Sequence, residues 1–176
     1  MRNARRTTKK TLRKDRRGLN SRIELALRIV HLLAATVWVG GTVALVFVAV
    51  PPVQRLEGED RARLLREFGR RWRPIGWGAL GLAIATGVAL AGRDHAFDTT
   101  STGFDSVLGV KGGLVGLLVA GSYLHDFVLG PGLGRQIRAG ERQSLRPLLV
   151  AIGRVNLLVT LALPVLGVVL SQLLHD

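Results

Sequence analysis

The chain contains no cysteine, and its one methionine is Met1. Disulfides, thiolate zinc sites and thiol catalysis are therefore excluded, and no soft sulfur ligand is left for Cu(I). Any metal ion or haem iron would need histidine, carboxylate, lysine, tyrosine or asparagine. There are four histidines: His31, His95, His125 and His175. Acidic residues are scarce, 12 against 25 Lys and Arg, for a net charge of +13. That balance would suit nucleic acid, but its location argues otherwise. Ten basic residues lie within 1–22, seven between Arg55 and Arg73, and four between Arg135 and Arg146. They flank apolar stretches, where Arg and Lys meet anionic headgroups. Membrane lipid, and not nucleic acid, is the expected partner.

Hydrophobic residues make up 48% of the chain and gather in four stretches, roughly Ile29–Val50, Ile75–Ala91, Val107–Leu129 and Leu148–Leu170. A membrane span needs roughly 17–25 residues, which all four supply. The expected fold is all-α: an integral-membrane, antiparallel up-down four-helix bundle. Residues 1–22 form a basic arm whose composition leads us to expect disorder, and residues 23–176 form the membrane domain. No cleavable signal peptide is expected, because 28 residues rich in Arg and Lys precede the first apolar run. The first loop, from Pro51 to Arg73, spaces Leu56, Leu64, Leu65, Phe68 and Trp72 among charges. That spacing suits a short interfacial helix; a plain charged connector is the alternative. The two membrane sides carry twelve and eleven Lys and Arg. The positive-inside rule thus divides them almost evenly. Leaving out the arm makes the first and third loops cytoplasmic.

Small residues recur at four-residue spacing: Ala79, Ala83 and Gly87 in the second span, Gly109/Gly113 and Gly112/Gly116 in the third. In lipid, small residues let helix backbones approach closely. They predict a tight bundle or, on an outer face, a homodimer contact. Pro164 removes one hydrogen bond from the fourth span and predicts a kink near Thr160.

Polar residues inside the spans carry the functional reading. His31 lies one turn into the first span, and Trp38, seven residues on, shares its face. Ala34 and Ala35 between them leave room for something flat or bulky. An ionisable ring in hydrocarbon is a functional-site hypothesis by default. The plainer reading is a ring hydrogen-bonded to a neighbouring carbonyl or hydroxyl. Helix direction sorts the polar residues into two layers. His31 and Lys111 begin the first and third spans, which run the same way. His125 and Asp126 close the third span, where Arg154 and Asn156 open the fourth. About 18 Å of depth should separate His31 from His125, so one iron cannot take both. His125 would at most belong to a second metal site. Lys111 suits the anionic edge of a bound group, or snorkels to headgroups. Asp126 and Arg154 are expected to form an ion pair, with His125 and Asn156 completing a polar cluster; a second ligand or proton-transfer site is the alternative. Asp94-His95 in the second loop could touch a surface metal, although a solvated turn is the simpler reading.

These residues carry a resemblance. His31-Leu32-Leu33-Ala34-Ala35-Thr36-Val37-Trp38-Val39-Gly40-Gly41 resembles the opening helix of the copper resistance protein D (CopD-like) membrane domain. Val107-Leu108-Gly109-Val110-Lys111, the His125-Asp126-Phe127-Val128-Leu129-Gly130-Pro131 ending and Arg154-Val155-Asn156 fit the same order over about residues 25–172. The pattern is also similar to the HemJ-type protoporphyrinogen oxidase, whose first-helix histidine and third-helix lysine correspond to His31 and Lys111. It departs where Arg154-Val155-Asn156 replaces a Glu-Pro start of the last helix.

The resemblance implies a multi-pass protein of a bacterial plasma membrane that handles b-type haem or copper. Under the first expectation, His31 ligates haem iron, Lys111 is a propionate partner or second ligand, and Trp38 forms part of the pocket wall. Such a protein would serve redox or porphyrin chemistry with an electron-transfer partner. If an enzyme, it would be a haem-dependent oxidoreductase of the protoporphyrinogen-oxidase type. Copper homeostasis without haem is the second expectation. A structural or assembly protein with no cofactor is the third.

Overall fold

A computed structural model describes residues 2–56, 58–93 and 102–173, with side chains outside 2–17, 102–105, 170, 171 and 173. The Asp94-His95 loop and His175 lie outside the described residues. Helix α1 spans Arg2–Ala44, and a π-helical turn, Leu45–Ala49, joins it to α2, Val50–Gln54. Helix α3 runs Gly58–Arg93, and α4 runs Thr102–Tyr123. A second π turn, Leu124–Leu129, leads into α5, Gly130–Arg138, and α6 is Arg146–Leu173. Among the described residues, four segments are long and apolar enough to cross a membrane: Gly18–Gln54, Gly58–Arg93, Ser106–Arg138 and Arg146–Val169. At most 22% of any one apolar window is buried within the protein. Leu32, Phe47 and Leu158 instead point outwards, as side chains solvated by lipid do.

Two expectations are modified. Helix starts at Arg2, inside the arm expected to lack structure; Arg, Lys and Leu are good helix formers and no proline interrupts them. The first-loop segment is helical, but it is no separate element. It continues through Pro74 into the second span as one helix, α3.

Both π turns have the same cause. Each ends just before a proline, Pro51 or Pro131. A proline ring clashes with the carbonyl four residues back, and a widened turn relieves the clash. In each turn the closing amide reaches back five residues, Val50 to the Leu45 carbonyl and Gly130 to that of His125.

The core draws one buried residue from each long helix: Trp38, Leu80, Leu118 and Val159. Packing is heaviest between α1 and α3 and between α4 and α6, so the bundle consists of two helical hairpins laid together. The hairpins repeat one construction. Phe47-Val48 before Pro51 matches Phe127-Val128 before Pro131, at an offset of eighty residues. The same offset pairs Trp38 with Leu118, Gly41-Thr42 with Gly121-Ser122, and His31 with Lys111. Gly41 and Gly121 do equivalent work. A Cβ at either would collide with a side chain of the returning helix, Trp72 on α3 or Asn156 on α6. By contrast, a Cβ at Gly109, Gly112, Gly113 or Gly116 would meet nothing within 4 Å. The glycine stripe of α4 therefore plays no part in packing this bundle. The stripe of α3 does, because Ala83 and Gly87 receive His31.

Candidate functional site

The side chain of His31 crosses from α1 to α3. Its Nδ1 lies 2.8 Å from the Ala83 carbonyl and 3.0 Å from Thr86 Oγ1. A carbonyl can only accept, so Nδ1 carries the proton and donates. The Thr86 hydroxyl donates its own proton to the Leu82 carbonyl at 2.7 Å, which leaves its lone pair for Nδ1–H. This network fixes the tautomer. Nε2 keeps its lone pair and has no hydrogen-bond partner among the described residues. Glycine at 87 permits the approach: a Cβ there would lie 3.1 Å from His31 Cε1. The hydrogen-bonded ring foreseen as the plainer reading is thus present, and it occupies only one of the two ring nitrogens.

Lys111 stands in the same layer. The Trp38 indole donates to Thr160 Oγ1 at 3.3 Å and fixes the register of α1 against α6. These helices run antiparallel, so seven residues back on α1 correspond to seven forward on α6. His31 therefore lies level with Gly167, and the Lys111 Nζ sits 3.5 Å from where a Gly167 Cβ would be. The ammonium is within electrostatic reach of the His31 ring.

The second layer lies at the other end. His125 Nε2 is 3.7 Å from a would-be Cβ on Gly153. Gly153 and Gly167 are fourteen residues apart on α6, about 21 Å by helix rise. His31 and His125 belong to different sites. Among the described residues no three His, Asp or Glu side chains converge to hold a metal ion.

The expected ion pair between Asp126 and Arg154 does not form. Asp126 Oδ1 accepts from His125 Nδ1 at 2.9 Å, and Oδ2 accepts from Trp77 Nε1 at 3.1 Å. Both carboxylate oxygens are thus engaged. Asn156 faces α4, donating from Nδ2 to Ser122 Oγ at 3.4 Å. Arg154, two residues earlier, is rotated about 200° from it and faces outwards. Sequence reasoning missed Trp77 as the partner of Asp126, although an indole N–H near a span end is a donor in need of an acceptor. It also missed Thr86. The signal was available: Thr86 lies three residues from Ala83, on the face of the small-residue stripe.

Trp38 does not line open space. The residue is 8% exposed; its indole tilts against Trp72 with ring centroids 6.4 Å apart and packs with Leu80, Leu118 and Val159. On the Gly41 side, away from His31, it is covered by Trp72, which the sequence placed in the loop. Trp38 sets helix register and shapes the base of the His31–Lys111 layer from the core side.

No family model, no curated protein and no solved structure matches the chain.

Proposed function

We propose that this four-helix membrane protein belongs with the CopD-like membrane domains and binds b-type haem, with His31 as axial ligand and Lys111 beside a propionate. The observation that carries this reading is the fixed tautomer of His31. A ligating imidazole characteristically donates its other N–H to a backbone carbonyl or carboxylate, which orients the ring and raises its basicity. Nδ1–H on the Ala83 carbonyl is that arrangement, and it leaves the Nε2 lone pair able to accept a ligand. Lys111 adds a cation at the same depth, suited to an anionic group at the porphyrin edge. The donor set, one neutral imidazole and one ammonium in an apolar layer, fits haem better than a copper ion, which would draw on several His or sulfur ligands. Haem would supply electron transfer when bound. The chain's own residues would orient the ring, neutralise a propionate and keep water away.

Haem-supplemented protein, purified in mild detergent, tests this. The expected result is a Soret band that His31→Ala abolishes and Lys111→Met weakens or shifts, with helical content unchanged by circular dichroism. A colourless wild-type protein, or a Soret band indifferent to His31→Ala, overturns the reading.

A further inference from the structure

At the end of the bundle opposite His31, an open groove lies along the first turns of α6. Glu141, Arg142, Arg146, Val150, Ala151 and Arg154 line it. Arg146, Val150 and Arg154 follow at four-residue spacing and share one helix face. Arg154 is turned away from α4, because Asn156 and Thr160 occupy the inner face. The three guanidiniums are exposed, and none makes an ion pair or hydrogen bond within the described residues. One carboxylate, Glu141, stands against three arginines.

Arg154 is the residue that needs explaining. It lies two turns below Arg146, about 12 Å along the helix. The contacts of Asn156 with Ser122 and of Gly153 with His125 place it level with Leu124, next to Tyr123. Tyr123 and Phe127 stack at 5.3 Å and Trp77 meets Phe127 at 5.7 Å, all at this depth. Such a girdle marks the boundary between headgroups and acyl chains. An outward-facing cation at that boundary is costly without an anion. On α3, one turn further out, Arg70 pairs with Glu67, three residues before it, at 2.7 Å, and Arg73, level with the girdle, lies 5.0 Å over the Phe127 ring. On α6 the residue three before Arg154 is Ala151. Among the described residues Arg154 has no carboxylate acceptor, and the space beside it is a groove floored by Val150 and Ala151.

We propose that this groove is a binding site for an anionic phospholipid. Its phosphate is held between Arg154 from below and Arg142 and Arg146 from above, and an acyl chain lies along Val150 and Ala151. Guanidinium matches phosphate geometry, and a basic pocket at the membrane surface selects anionic headgroups. The apolar floor and the depth of Arg154 select a lipid over a free anion.

The full-length protein is reconstituted with mixed phosphatidylglycerol and phosphatidylcholine, and the lipids retained per protein are counted by native mass spectrometry. Retained phosphatidylglycerol should fall roughly tenfold or more in the double variant Arg146→Gln/Arg154→Gln. It should change little in Arg135→Gln/Arg138→Gln, which removes the same charge from exposed positions on α5. Ala151→Glu is the second variant. It places a carboxylate three residues before Arg154, the spacing of the Glu67–Arg70 pair on α3, on an exposed position, and should expel the lipid. Equal losses in both double variants, equal retention of phosphatidylcholine, an Ala151→Glu protein that keeps its lipid, or complete displacement by inorganic phosphate would each overturn the proposal.

Discussion

The Trp38 indole and the Thr160 hydroxyl join α1 to α6 across the buried centre of the bundle, at 3.3 Å. This one bond sets the register that brings His31 and Lys111 to a common depth. Interhelical hydrogen bonds in membranes contribute about 0.6 kcal/mol on average and up to about 1.7 kcal/mol. Thr160→Val should therefore cost no more than that in detergent unfolding. Trp38→Ala, which also empties a core position, should cost about 3–5 kcal/mol. Equal effects from the two would show that the bond, not the packing, is what Trp38 supplies.

Neighbouring glycines in the first span should respond oppositely to one methyl group. At Gly41 a Cβ collides with the Trp72 ring, whereas at Gly40 it meets nothing within 4 Å. Gly41→Ala should lose about 1–3 kcal/mol through overpacking. Gly40→Ala should be neutral, or gain up to about 1 kcal/mol from helix propensity. Thermal unfolding of the two variants decides it.

Asp126 should couple to Trp77 and not to Arg154. A double-mutant cycle with Asp126→Asn and Trp77→Phe should return about 0.5–1.5 kcal/mol of interaction. The cycle with Arg154→Gln should return a value near zero. A large Asp126–Arg154 coupling would contradict the observed pairing.

The two-layer arrangement can be measured directly, because a chain without cysteine accepts single labels cleanly. Leu32 and Val110, outward neighbours of His31 and Lys111, are 67% and 56% exposed. Nitroxides there should report the same depth in a bilayer. A label at Leu124, next to His125, should lie about 20 Å away along the membrane normal.

Gly87→Val tests the approach of His31 to α3. The added side chain would enter the space beside His31 Cε1, already at 3.1 Å from the Cβ position. It should push the ring from the Ala83 carbonyl and weaken any His31-dependent absorbance. Gly113→Val, on the open stripe of α4, should leave both absorbance and unfolding of the monomer unchanged.

The internal repeat explains why part of the site could be read from the sequence. His31 and Lys111 each stand sixteen residues before a phenylalanine of the Phe-Val-x-x-Pro ending. Parallel helices with a common ending place such residues at one depth, so helix direction alone brought them together. The polar cluster at the other end was legible by depth but not by partner. Arg154 and Asn156 shared a layer, yet a two-residue separation on a helix puts them on nearly opposite faces. The sequence offered two acidic oxygens and three candidate donors, and did not rank them.

Length and apolar content determined the four spans, their alternating direction and the two polar layers, because each follows from rise per residue along one helix. Tertiary structure decided what meets what. It put Trp72 into the space beside Trp38, gave Asp126 to Trp77 and His125, and left Arg154 outside with no acceptor among the described residues. It used the small-residue stripe of α3 and left that of α4 open. The physical reason is that periodicity defines a helix's own faces, whereas the neighbour covering each face depends on how helices pack around a shared core.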